Sequence, residues 1–201
     1  MLKIILTLTT GMLLGVIDTH YTGLKILKAH FEQRTTSSAT RVVKIENGQF
    51  WMDRESEVLR FEYLDPEKKT FLYRRGRVEF YVPADRQLMT YKLDESSDLM
   101  PFLFLLGKRR LSDCLSIPTG NEKPRTSGAE LLHLQPIVAA KGEGDFFVEV
   151  DPATGYVFRV MFVDSLRNRI EIQLDQQQPL AHLPAGFDTI RVPGGVEIVE
   201  R

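Results

Sequence analysis

The stretch Ser96-Ser97-Asp98-Leu99-Met100-Pro101-Phe102-Leu103-Phe104-Leu105-Leu106-Gly107-Lys108-Arg109-Arg110 constrains this chain more than any other. Pro101 suits the first turn of a helix, where its missing N–H costs nothing. Ser96, Ser97 or Asp98 can cap that start, and Gly107 can end the helix in a left-handed C-cap. Between these signals nearly every residue is large and apolar. A surface helix keeps one polar face, and this one has none. It is also far too short to span a bilayer. The segment is therefore either a buried core helix or a helix that covers an apolar cavity.

The rest of the chain is large enough to supply such an interior. Its 201 residues are 43% hydrophobic, which fits one domain with a real core. A formal charge of -1 gives no electrostatic case for a nucleic-acid partner. Cys114 is the sole cysteine, so neither an internal disulfide nor a cysteine-based metal site can form.

Met1-Leu2-Lys3 followed by Ile4–Leu8 has the cation and apolar run that open an export signal, but no A-x-A cleavage site follows. Leu13, Ile17, Tyr21, Leu24, Leu27 and Phe31 then fall three or four apart, which predicts an amphipathic helix to about Gln33. The expected division is a truncated signal segment over 1–11 and one domain over 12–201. The alternative is a single N-terminal helix over 1–33 with an apolar start.

Short strands follow. Arg41–Glu46 and Gln49–Asp53 flank Asn47-Gly48, a strong hairpin signal. Val58–Leu64, Thr70–Arg74, Arg77–Val82 and Gln87–Leu93 come next, punctuated by Asp65-Pro66, Arg75-Gly76 and Pro83-Ala84-Asp85. A further helical turn is expected over Leu111–Ile117, and an exposed loop over Pro118–Gly128. Strands resume at Glu130–Gln135, Asp145–Val150, Phe158–Val163 and Arg169–Asp175, and Phe187–Val192 and Val196–Val199 close the chain. This spacing predicts an α+β, mainly β fold: a curled antiparallel sheet with an N-terminal helix and a short apolar lid helix. Alternation groups Phe50 with Met52, Leu59 with Phe61 and Tyr63, Phe71 with Tyr73, and Val78 with Phe80. With Leu88 these are the candidate lining of a concave face; an ordinary filled sandwich core is the competing reading. Leu99, Met100, Phe102, Leu103, Leu105 and Leu106 are the candidate lid.

The order of motifs resembles the periplasmic outer-membrane lipoprotein carriers of the LolA family. Tyr21-x-x-Leu24-x-x-Leu27-x-Ala29-x-Phe31-x-Gln33 is similar to that family's opening helix. Gly48-Gln49-Phe50-Trp51-Met52, Arg60-Phe61-Glu62-Tyr63-x-x-Pro66 and Arg75-Gly76-Arg77-Val78-Glu79-Phe80-Tyr81-Val82-Pro83 resemble its strands. Pro101–Gly107 followed by Leu111 resembles its lid. Phe147-x-x-Val150-Asp151-x-x-Thr154-Gly155 and Phe187-x-x-x-x-x-Pro193-x-Gly195-Val196-Glu197 resemble its C-terminal half. The likeness runs from about residue 13 to 199.

That resemblance implies an unclosed β-barrel whose lid covers a cavity for the acyl chains of lipoproteins. It implies a periplasmic, monomeric carrier, loaded by an inner-membrane releasing transporter and emptied by an outer-membrane acceptor. It also implies an arginine that latches the lid. The family's Arg-Pro after the second strand is Arg54-Glu55 here, so either Arg54 or Arg60 can take that role. Lys108-Arg109-Arg110 can complement a helix C-terminus or meet anionic headgroups or an acidic acceptor.

Catalytic signatures are missing from the sequence. His20, His30, His133 and His182 show no metal-ligand spacing, and neither G-x-S-x-G nor a phosphate-binding glycine loop occurs. No catalytic, metal or cofactor site is expected. A lipid- or lipoprotein-sensing module on the same fold is the alternative function.

Overall fold

The computed structural model describes residues 10–92, 102–108, 110–137, 144–164 and 166–200. The expected signal segment therefore lies almost wholly outside the described residues, as do Leu99, Met100 and Arg109.

One helix, α1 (Thr10–Gly23), precedes the strands. They are β1 (Ile26–Thr36), β2 (Val43–Asp53), β3 (Val58–Asp65), β4 (Lys69–Arg74), β5 (Arg77–Val82) and β6 (Gln87–Lys92). Then come β7 (Cys114–Ile117), β8 (Glu130–Pro136), β9 (Phe146–Val150), β10 (Val157–Val163), β11 (Arg169–Leu180) and β12 (Glu197–Glu200). They form one sheet of 12 strands in the order β12-β6-β5-β4-β3-β2-β1-β11-β10-β9-β8-β7. The sheet is an unclosed barrel, as the family resemblance implied, and it is largely antiparallel, as the strand spacing predicted. All neighbours are antiparallel except β12 on β6, which is parallel, so the chain is not a pure meander.

The expected helix to Gln33 is overturned. Helix α1 stops at Gly23, and Leu27, Ala29 and Phe31 belong to β1, the inner-facing positions of a strand paired on both sides. The three-or-four spacing ran on through a segment that also satisfies period two, and there pairing with β2 and β11 on both sides, with Leu27, Ala29 and Phe31 turned into the core, decides for the strand.

Asn47-Gly48 is no hairpin either. β2 runs straight through it, and the β2–β3 register slips between these two residues. A Cβ on Gly48 would lie 1.9 Å from the Glu62 carbonyl oxygen and 3.0 Å from the Phe31 ring. Glycine serves here as close approach at an irregular pairing, not as a turn. The real β1–β2 turn is Ser37–Val42, closed by Ser37 N–H to Val42 O at 2.9 Å.

Leu111–Asp113 is a single 3-10 turn, and the rest of the expected helical turn is β7. Phe187–Val192 forms no strand. It belongs to a strap, residues 181–196, on the outer face of β2–β6. Trp51 and Phe187 rings meet at 4.5 Å there, and Arg60 donates to the Phe187 and Thr189 carbonyls, each at 2.9 Å.

A second strap, residues 118–129, covers the outer face of β8–β11 around buried charges. Arg159 is 3% exposed and Glu149 1%. Glu149 accepts from Arg159, from Arg125 N–H at 3.1 Å and from Thr126 N–H at 2.7 Å. Arg159 also donates to the Lys123 carbonyl at 3.3 Å. With both outer faces strapped, the concave side holds the main apolar core, into which α1 contributes Leu13, Leu14, Ile17 and Tyr21.

Candidate functional site

The concave wall comes from strand alternation. Strand β2 offers Phe50 and Met52, which pair across to Phe61 and Leu59 on β3. These pair on to Phe71 and Tyr73 of β4, and then to Phe80 and Val78 of β5. On the other half, Ile172 of β11, Val160 of β10, Val148 of β9 and Leu132 of β8 pair in series. β1 joins the halves through Leu27, Ala29 and Phe31.

Residues 102–106 fill the space between these walls. Phe102 is 1% exposed and Leu105 0%, and Leu103, Phe104 and Leu106 are buried with them. The Phe102 ring meets Phe61 at 5.6 Å edge-on and Phe162 at 6.4 Å, so it touches both halves of the sheet. Phe104 meets Tyr21 of α1 edge-on at 5.7 Å. The described part of the expected lid helix winds through tight turns. It closes with Gly107 N–H to Phe104 O at 2.9 Å and Lys108 N–H to Leu103 O at 3.0 Å. That pair of bonds, with Gly107 at φ 71°, is a Schellman ending.

The far end of this plug is tied by polar contacts. Arg54 sits on the β2–β3 turn, where Asp53 Oδ1 accepts from Glu55 N–H at 3.0 Å and Ser56 N–H at 3.2 Å. Its Nη1 donates to the Tyr21 carbonyl at the end of α1. Its Nη2 lies 2.0 Å from where a Gly107 Cβ would be. Burial pulls the Arg54 guanidinium below its usual pKa, and Asp18 opposes this. Glu57 of the same turn accepts from Lys108. Asp18 of α1 accepts from Leu111 N–H at 2.9 Å and Ser112 N–H at 3.1 Å.

A family model described as outer membrane lipoprotein carrier protein LolA matches residues 22–187. The chain belongs to the LolA family. Its fold is similar to an uncharacterized conserved protein from Thermus thermophilus: 14% identity, TM-score 0.55, covering 94% of this chain and 98% of that one. A DUF1329 family protein from Desulfovibrio piger is similar at 11% identity and TM-score 0.51, covering 89% of this chain and 95% of that one. A LolA superfamily protein from Nitrosomonas europaea shares 12% identity at TM-score 0.48, covering 92% of this chain and 99% of that one. No curated protein matches the sequence.

In this LolA-family chain the named candidates divide as follows. Phe50, Met52, Leu59, Phe61, Tyr73 and Val78 lie in the buried concave core, with Tyr63 and Phe71 packed against it. Phe80 shares their face through its pairing with Phe71. Leu88 does not. It pairs with Tyr81, opposite in facing to Val78 and Phe80, so it belongs to the outer face. The β5–β6 turn pairs Val82 with Gln87, and that register turns Met89, half-buried, and Tyr91, exposed, to the face of Phe80 and Val78 instead. Arg60 likewise pairs with Trp51 and Leu72 on the outer face, where it holds the C-terminal strap. Of the two arginines, Arg54 reaches the plug. Lys108 pairs with Glu57 and Arg110 with Asp113, the latter at 3.0 Å.

Sequence reasoning left Phe104 off the lid residues although it lies in the lid stretch, gave Tyr21 no place in the site, and missed Asp18 and Glu57. It also missed the β8–β11 half of the wall, whose alternation carried the same signal as β2–β5. Nothing local marks Asp18 or Glu57, because their partners lie far along the chain.

Proposed function

We propose that this protein takes the acyl chains of lipoproteins into its apolar interior and carries them through the periplasm towards the outer membrane. One observation carries the reading. The interior is filled by a separate short segment, Phe102–Leu106, whose described polar ties are all at its C-terminal end. Each methylene of an acyl chain gains about 0.8 kcal/mol on burial, so several chains buried in an empty cavity would never be released. Each large side chain expelled from the interior forfeits about 1.5–3 kcal/mol. Cargo uptake and plug burial then compete, and the net affinity stays moderate enough for transfer.

Arg54 is the latch in this reading. Its fork holds the end of α1 and the Schellman end of the plug together, and so weights the closed form. An inner-membrane transporter that loads the protein and an outer-membrane acceptor that unloads it are the implied partners. The carrier acts as a monomer and performs no chemistry on its cargo.

Native mass spectrometry of the purified protein with a triacylated lipopeptide tests this. The expected result is a one-to-one adduct that the unacylated peptide does not form. Binding of free phospholipid without lipopeptide supports a lipid-sensing module instead. Absence of any adduct contradicts both.

A further inference from the structure

Two turns at the end of the barrel away from α1 carry an unusual surface. The β1–β2 turn and the start of β2 expose Val42 (64%), Val43 (45%) and Ile45 (43%). The β10–β11 turn exposes Leu166 (74%), with Val163 (54%) beside it. Five of the 11 large hydrophobic side chains exposed among the described residues thus sit on two turns and the strand ends beside them. Scattered exposed aliphatics are ordinary, but a group held together is not.

The two turns are bonded to each other. Ser38 N–H donates to Asn168 Oδ1 at 3.2 Å, and Ser38 Oγ donates to the Leu166 carbonyl at 3.1 Å. Asp164 accepts from Asn168 N–H at 2.7 Å and closes the second turn. The aliphatic side chains are therefore carried on one braced rim.

Cations flank them. Arg41 and Arg167 are exposed and have no ion pair among the described residues. Lys44 is exposed beside them and pairs with Glu46 at 2.8 Å. Against these stands Asp164, which is occupied by Asn168. Arg41 and Arg167 also sit in left-handed backbone, at φ 61° and 64°. Glycine or asparagine would fold there at lower cost, so each turn keeps a cation where the backbone favours another residue.

We propose that this rim is a shallow docking surface for an anionic phospholipid bilayer. Aliphatic side chains that enter the acyl boundary, with arginines at headgroup level, are the chemistry of interfacial anchoring. A protein partner fits less well. These turns carry no Trp, Tyr or Phe to fill a partner's pocket, and such anchors dominate protein interfaces. The inference stands beside the proposed function and does not rest on it.

Co-sedimentation of the full chain with vesicles tests it. Mixed phosphatidylethanolamine–phosphatidylglycerol vesicles are compared with pure phosphatidylcholine, at low and high salt. The wild type is expected to sediment with the anionic vesicles and to be released by salt. R41E/R167E is expected to lose roughly tenfold or more in that binding. V42D/L166D is expected to lose it as well, while both variants keep the wild-type melting temperature. Wild type that stays in the supernatant with anionic vesicles overturns the proposal. So does binding that both variants retain in full.

Discussion

The Arg54 guanidinium occupies the space that a side chain on Gly107 would need: a Cβ there would come within 2.0 Å of Nη2. The same guanidinium donates to the Tyr21 carbonyl at the end of α1. One side chain therefore bonds the helix from the β2–β3 turn and packs against the end of the plug. Several consequences can be measured.

Arg54→Leu removes a charged donor from these contacts, a loss of about 1.5–3 kcal/mol. At about 2–4 °C per kcal/mol for a chain of this size, the ligand-free protein should melt several degrees lower. Lipopeptide uptake should persist, and its release to an acceptor should slow, because the closed form that competes with cargo is weakened. Arg60→Leu should instead loosen the C-terminal strap and leave release unchanged. Calorimetry and a transfer assay on both variants separate the two arginines.

Gly107→Ala strains a backbone at φ 71° and drives its Cβ into Arg54. The positive φ alone costs on the order of 1 kcal/mol. The melting temperature should fall at least as far as for Arg54→Leu. The double variant should fall less than the sum, since each change disrupts the same contact.

Phe102→Ala deletes the ring that touches Phe61 and Phe162. Truncating a buried phenylalanine costs about 3–5 kcal/mol in the empty protein. Because acyl chains compete with that ring, affinity for a fatty-acyl probe should rise as stability drops. A filled, non-exchanging core would lose stability with no gain in binding. Fluorescence titration with the probe reads this directly.

Acid should loosen the 118–129 strap. Burial alone would push Glu149 up, but the Thr126 and Arg125 N–H donors and Arg159 outweigh it and hold the carboxyl below its usual 4.5. A carboxylate with a depressed folded pKa lends stability above its unfolded value, and that stability is lost as pH falls through the folded one. Stability should therefore hold near neutrality and decline below about pH 4.5. Glu149→Gln leaves Arg159 without its closest carboxylate and should cost about 3–5 kcal/mol at neutral pH. It should also flatten the acid limb. Urea melts across that range check both.

Much of the architecture was legible because alternation is local. The β2–β5 inner face can be read from Phe50 to Phe80 without any partner strand. Leu88 was not legible, because its facing is set by how Val82 pairs with Gln87 across the turn. β1 was misread because Tyr21, Leu24, Leu27 and Phe31 satisfy a helical spacing while Leu27, Ala29 and Phe31 satisfy a strand. Only the partners on both sides decide between these. The plug announced itself by having no polar face. Its tie points at Asp18 and Glu57 did not, since a carboxylate that accepts distant backbone or lysine protons looks like any surface acid.

Hydrogen exchange at the Leu105, Gly107 and Lys108 amides, with and without a bound triacylated lipopeptide, tests the central claim most directly. These amides are bonded to Phe102 O, Phe104 O and Leu103 O in the closed protein. If acyl chains displace the plug, their protection should collapse on binding while amides of β1 stay protected. Lipopeptide bound with residues 102–108 still fully protected would contradict the account.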